Sequence, residues 1–219
     1  MDKLYIKCRQ FWDGIFREEA AEIPTGPDLG IPMLDSALTW LCDGTQEVLD
    51  FGCGNGSLLF RCALRGTQVH RGIDFSSEAV GLAQKRAALM GQGRYIFSVG
   101  EVSALKHIGN GSMDAALLSN ILDNLIPQDS EALLNHIHRI LRPGGKLLVK
   151  LNDYMTEERM AEWDVKRIEG DLLDDGLLLY NRATEDWEEA LEKRFHIERF
   201  HKIYYPQQDQ YNRLFLLRG

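Results

Sequence analysis

No stretch of this 219-residue chain approaches the ~20 apolar residues that a membrane span needs, and the opening segment MDKLYIKCRQFW lacks the apolar core of a secretion signal. Four scattered cysteines, Cys8, Cys42, Cys53 and Cys62, make no C-x-x-C pair and match no metal-ligand spacing, the usage expected of reduced thiols in a cytoplasmic protein. The six histidines are equally dispersed, so no metal site is expected. Low-complexity runs and internal repeats are also missing, which leaves the whole chain available for one folded unit. Positive charge is scarce as well. Lys and Arg number 25 against 33 Asp and Glu, for a formal net charge of −8, so the average surface repels a phosphate backbone and nucleic acid is disfavoured as a partner. A local strip built from Arg139, Arg142, Lys146 and Lys150 is the one basic feature that would oppose this.

What is present is a strand–helix rhythm. Short apolar runs at EVLDF, VHRGIDF, RYIFSV, MDAALLS and GKLLVKL alternate with helical patterns such as SSEAVGLAQKRAALM and DSEALLNHIHRILR. In the second of these helices Leu133, Leu134, Ile137, Ile140 and Leu141 share one stripe, and Pro143-Gly144-Gly145 stops it. The rhythm predicts an α/β fold with a doubly wound, mostly parallel sheet over residues 45–152. Two helices come first, in residues 1–44. One carries Tyr5, Phe11, Trp12, Ile15 and Phe16, and the next carries Leu34, Ala37, Leu38 and Leu41, with a Pro/Gly-bearing link between them. Residues 153–183 read as a helix and an inserted hairpin cap turning at Asp175-Gly176. Residues 184–219 read as a last helix N-capped by Thr184 and a closing antiparallel strand pair.

In such a sheet ligands bind beyond the C-terminal ends of the strands. The first of these loops runs Asp50-Phe51-Gly52-Cys53-Gly54-Asn55-Gly56, where glycines let the backbone turn and approach a ligand. Dinucleotide enzymes also place glycines here, as G-x-G-x-x-G, but Ser57 stands at the third glycine's position and the extra glycine, Gly56, comes one place early. Asp50, two residues before the first glycine, would face an anionic pyrophosphate; it suits a ligand bearing an ammonium, as S-adenosylmethionine does. Asp74 ends the second strand, where a carboxylate can accept both ribose hydroxyls. Its alternative is an acid favoured by the dipole of the helix that follows.

With these residues the chain resembles the class I S-adenosylmethionine-dependent methyltransferases over about residues 45–152. VLDFGCGNG is similar to that family's glycine-rich first motif, GIDFS to its ribose-binding second, and VGEVSAL to its adenine-binding third. DAALLSNILDNL and LRPGGKLLVKLND are similar to its fourth and fifth strands. The resemblance implies a seven-stranded sheet closed by an antiparallel hairpin and S-adenosyl-L-methionine as cofactor. It implies cofactor contacts from Asp50, Gly52, Cys53, Gly54, Gly56, Asp74, Phe75, Glu101, Val102, Ser119 and Asn120. Two positions depart from the pattern: Glu101 stands where many members carry Asp, and Asp123-Asn124 where small-molecule members often show a His pair.

Methyl transfer from a sulfonium needs alignment more than acid–base help, so a catalytic base is optional. By position at strand ends the candidates are Asp123, Asn152 and Tyr154, with Asp153 beside them; capping, loop satisfaction and packing are their plainer alternatives. Trp12, Tyr180 and Arg182 are candidates for shaping the acceptor pocket from the lid, with core packing the alternative for Trp12. Three functions compete: a small-molecule methyltransferase, a protein or RNA methyltransferase, and a catalytically silent domain that binds a partner. The intact glycine loop with Asp74 argues against the third.

Overall fold

The computed structural model describes residues 2–207 and 209–219, with side chains from Leu4 onward. Helices α1 (Asp2–Glu18) and α2 (Pro32–Cys42) precede an alternating run: β1 (Glu47–Phe51), α3 (Ser57–Leu64), β2 (Val69–Asp74), α4 (Ser77–Ala87), β3 (Arg94–Val99), β4 (Met113–Ser119), α5 (Pro127–Ile140) and β5 (Leu141–Asn152). Then come α6 (Glu157–Glu162), β6 (Lys166–Glu169), β7 (Leu172–Asp174), β8 (Leu178–Tyr180), α7 (Thr184–Glu192), β9 (His196–Tyr205) and β10 (Gln210–Arg218). Seven strands form one sheet in the order β3-β2-β1-β4-β5-β10-β9, parallel except for β10, which runs antiparallel to both β5 and β9. The expected α/β class and its antiparallel close are therefore both present.

Both faces of the sheet are covered at its centre, which explains why the central strands β1, β4 and β5 read as continuous apolar runs while the edge strands β3 and β9 do not. In β5, Leu147, Val149 and Leu151 enter the core beneath α5 and α7, while Leu148 enters the core beneath α2 and α3. Leu214 and Leu216 of β10 join the second core; Phe215 and Leu217 join the first. This two-residue alternation locks the register, because a slip of one residue would exchange the two cores. The order reverses between β1 and β4, and the crevice that opens there fixes where a ligand can enter.

Three local readings change. Leu141 is a strand residue paired with Met113. Arg142 precedes a proline and is biased towards extended backbone, so the helix ends at Ile140, ahead of the Pro-Gly-Gly. The inserted hairpin has a third strand, since β7 pairs with β6 on one side and β8 on the other. Thr184 is the first helical residue of α7, and Ala183 occupies the N-cap without a side-chain bond. The Thr184 hydroxyl lies instead 3.5 Å from an Arg213 Nη1 donor. Nor do the four basic residues form a strip. Arg139 donates to the carbonyls of Leu105 and Ile108, Arg142 pairs with Glu47 and Asp114, Lys146 donates to the carbonyls of Trp40 and Asp43, and Lys150 is buried against the Tyr205 ring.

The interlock of the two cores through β10 can be tested. Phe215 is fully buried with its ring centroid 4.8 Å from that of Phe200, so Phe215→Ala should cost about 3–5 kcal/mol in urea unfolding. A loss below about 1 kcal/mol would show that the site collapses freely and that β10 does not carry the core.

Candidate active site

The glycine loop is held against β2 before any ligand arrives. The amides of Gly52 and Cys53 both donate to the Ile73 carbonyl, at 2.8 and 3.1 Å. Gly52 has φ +77°, and a Cβ there would stand 2.9 Å from Cγ1 of Ile121, so the tip of β1 lies hard against the loop after β4. Gly54 has φ +50°, and its amide donates to Asp74 Oδ2 at 2.8 Å. The other carboxylate oxygen, Oδ1, accepts the Ser76 amide at 2.9 Å. Asp74 therefore ties two loops together, and Ser76 rather than Asp74 caps α4, its hydroxyl accepting from the Ala79 amide at 3.0 Å. Burial pushes the Asp74 carboxyl above its ordinary pKa while those amides pull it back.

Helix α1 crosses all of these loops. Tyr5 donates to Asp129 Oδ2 at 2.7 Å and accepts from the Ile126 amide at 3.0 Å, and Arg9 meets Glu101 at 2.7 Å. Asp13 accepts the Ser76 hydroxyl at 2.5 Å, and Glu19, just beyond the helix, accepts from Asn55 at 2.8 Å. Lys7 reaches Asp174 in the small sheet at 2.7 Å. The helix thus lies across the ends of the parallel strands as a roof, with Trp12 and Phe16 stacked on its underside.

Beneath this roof is a cavity of about 430 Å³, within the size range of ligand and cofactor sites. Of the residues singled out by sequence, Gly52, Gly54, Asp74, Phe75, Glu101, Val102, Ser119, Asn120, Asn152 and Trp12 line it. Asn120 holds a left-handed backbone (φ +52°), which is uncommon outside glycine, and its buried Oδ1 has no hydrogen-bond partner.

Seven others lie outside the lining. Asp50 is 1% exposed beneath the loop; burial first, and the Asp74 charge second, push its pKa up to about 8. Cys53 is buried under the turn beside Gly72, the small residue that close packing admits there, and Gly56 closes against Phe60 and Phe97 at the start of α3. Asp123 is fully buried because the 3₁₀ turn Leu122–Asn124 swings its carboxylate inward. Its Oδ2 accepts the Asn152 amide at 2.7 Å and the Asn152 side chain at 3.0 Å, so it positions a lining residue instead of lining. Tyr154 is 44% exposed on the far side of the β5 end. Tyr180 and Arg182 are drawn away by Trp187 of α7. The Tyr180 and Trp187 ring centroids are 5.4 Å apart, and the Arg182 guanidinium lies 5.0 Å from the centre of the indole.

The hairpin around Leu177 to Arg182, read from sequence as part of a lid, does reach the cavity through Leu177, Leu178 and Leu179, whereas sequence reading missed Tyr5, Cys8, Asn124, Leu125, Asp129 and Asp175, which also line it. Asp175 signalled only a turn and Asp129 only a helix start. No local pattern marks that they converge with Tyr5, which is 124 residues from Asp129. Among the described residues no cluster of His, Cys, Asp and Glu is arranged to hold a metal, and no helix is long and apolar enough to cross a membrane.

The comparisons with known proteins agree with this geometry. Residues 43–214 match the model of a methyltransferase domain family, and the chain belongs to that family. A ubiquinone biosynthesis O-methyltransferase of Xanthomonas oryzae is 30% identical over 151 residues, covering 68% of this chain and 59% of the relative. A human tRNA N(3)-cytidine methyltransferase is 28% identical over 117 residues, covering 50% of this chain and 30% of the relative. The chain spans about half the length of the curated relatives it matches. Among solved structures, magnesium protoporphyrin IX methyltransferase from Synechocystis, with bound S-adenosylhomocysteine, superposes with a TM-score of 0.70 at 19% identity. That match covers 98% of this chain and 99% of the other and shows a shared fold.

The buried Asp50 supplies a pH test. Its folded-state pKa is raised to about 8, above the ordinary carboxylate value. The stability it contributes is therefore complete below about pH 4 and is lost as pH rises through 8, at up to about 1.4 kcal/mol per pH unit. Asp50→Asn, which cannot ionise, should flatten the decline in chemical-denaturation stability between about pH 4 and 8. Parallel wild-type and variant profiles would show that Asp50 ionises freely in the folded protein.

Proposed function

We propose that this chain is an S-adenosylmethionine-dependent methyltransferase acting on a small-molecule acceptor. The observation that carries the reading is a roofed, partly open cavity walled on one side by the glycine loop and Asp74, and on the other by the ends of β4 and β5. The residues fit the cofactor. Two backbone amides occupy part of the Asp74 carboxylate, and its remaining lone pairs are free for a pair of ribose hydroxyls. Glycine at 52 leaves free the space that a side chain would contest with Ile121. Phe75, Glu101 and Val102 close the β2 and β3 side as an adenine wall, and Ser119 and Asn120 stand where β4 meets the reacting centre.

When bound, S-adenosylmethionine supplies an electrophilic methyl group on a sulfonium, so the residues of this chain have chiefly to align and to exclude water. Asn152 is pinned by Asp123 from below and by Arg213, whose Nε donates to the Asn152 carbonyl at 2.8 Å, so its side chain meets an acceptor in a fixed orientation. Helix α1 and the β6–β8 sheet roof the acceptor end, and a roofed pocket of this size favours a small molecule over a folded macromolecule.

Calorimetric titration of the full chain with S-adenosylmethionine, S-adenosylhomocysteine and NAD tests the reading. Both adenosyl ligands should bind in the micromolar range and NAD should not. Asp74→Ala should weaken the adenosyl ligands at least tenfold, about 1.4 kcal/mol. A folded protein that binds NAD, or that binds neither adenosyl ligand, would overturn it.

A further inference from the structure

The cavity has one sign of charge. None of its lining residues is a lysine, arginine or histidine, and four are carboxylates. Two belong to the end assigned above to the cofactor and are already engaged: Asp74 takes two backbone amides, and Glu101 faces Arg9 at 2.7 Å. The other two, Asp129 and Asp175, wall the end bounded by β4, β5 and β8, and among the described residues neither forms an ion pair. Asp175 accepts the Leu177 amide through Oδ1 at 3.1 Å, leaving its second oxygen without a donor. Asp129 accepts the Tyr5 hydroxyl, whose proton is committed there because the phenol oxygen already accepts the Ile126 amide. Lys7, whose charge reaches Asp175, is ion-paired with Asp174, and Arg9 is ion-paired with Glu101.

The surfaces between these groups are apolar, formed by Cys8, Ile121, Leu125, Leu177 and Leu178.

Resting on the methyltransferase reading, we propose that the acceptor is a small amine with an apolar body and that the reaction is N-methylation. Asp129 and Asp175 draw the ammonium form in. The bound ammonium loses one proton to Asp175, whose carboxyl burial pushes above its ordinary pKa, and from there to solvent. The freed nitrogen lone pair then forms the N–C bond as the C–S bond breaks, with that bond's electron pair going to sulfur; the product is the methylated ammonium and a neutral thioether. Anionic acceptors are rejected because two unpaired carboxylates face the place they would occupy.

The test uses three probes with one apolar body and three charges: 2-phenylethylamine, 2-phenylethanol and phenylacetate. Each is titrated into the full chain by calorimetry and thermal shift, with and without S-adenosylhomocysteine. The amine should bind at least tenfold tighter than the alcohol, and phenylacetate should not bind. Asp129→Asn and Asp175→Asn, which keep the side-chain shape, should each weaken the amine severalfold while leaving S-adenosylhomocysteine affinity unchanged. Alcohol or phenylacetate binding as tightly as the amine, or amine affinity indifferent to both substitutions, would overturn the proposal; the wild-type series decides it even if a variant fails to fold. Failure of S-adenosylhomocysteine to bind would instead bring down the methyltransferase reading itself, so the two failures are distinct.

Discussion

The carboxylate of Asp74 is the joint on which the site is built. One of its oxygens fixes the amide of Gly54 and the other that of Ser76, and Ser76 in turn caps α4 and reaches Asp13 on α1. The glycine loop, the start of α4 and the roof helix are thus three parts of one hydrogen-bonded chain. Charge-assisted hydrogen bonds of this kind are stronger than neutral ones, and burial keeps them from being screened. Burial also raises the pKa of Asp74 and of its neighbour Asp50, so the same low dielectric that strengthens the joint leaves two acids close together beneath the loop.

The roof is attached by a different mixture of contacts from the core. The sheet is held by two apolar layers and a continuous backbone ladder, whereas α1 adds to its apolar contacts a row of ion pairs, Lys7–Asp174, Arg9–Glu101 and Arg17–Glu78. Exposed pairs of this kind contribute about 0–1 kcal/mol each. Helix α1 also packs Leu4, Tyr5 and Cys8 against Ile126, Leu172 and Leu178, so a small apolar cluster seats the roof on the cap.

Much of this architecture was legible from the chain. The runs EVLDF and MDAALLS coincide with β1 and β4, because central strands buried on both faces must be apolar throughout and short, and RYIFSV coincides with the half-exposed edge strand β3. Gly52, Gly54 and Asp74 were legible because a tight turn and a strand-end acid leave a mark at fixed spacing. Asp123, Tyr154, Tyr180 and Arg182 were chosen by position after a strand or in the cap, and position does not fix direction. A 3₁₀ turn sends Asp123 inward, and Trp187, from another element, captures Tyr180 and Arg182.

The sequence by itself determined the sheet, its closing antiparallel pair and the glycine-rich end of the site, since periodicity and turn chemistry act between residues near one another in the chain. The tertiary structure alone decided the far end of the cavity. Tyr5 meets Asp129 and Asp175 joins the same wall only because α1, α5 and the β6–β8 sheet converge over β4 and β5. The charge of a cavity is a sum over side chains from distant segments, and only folding brings those segments together.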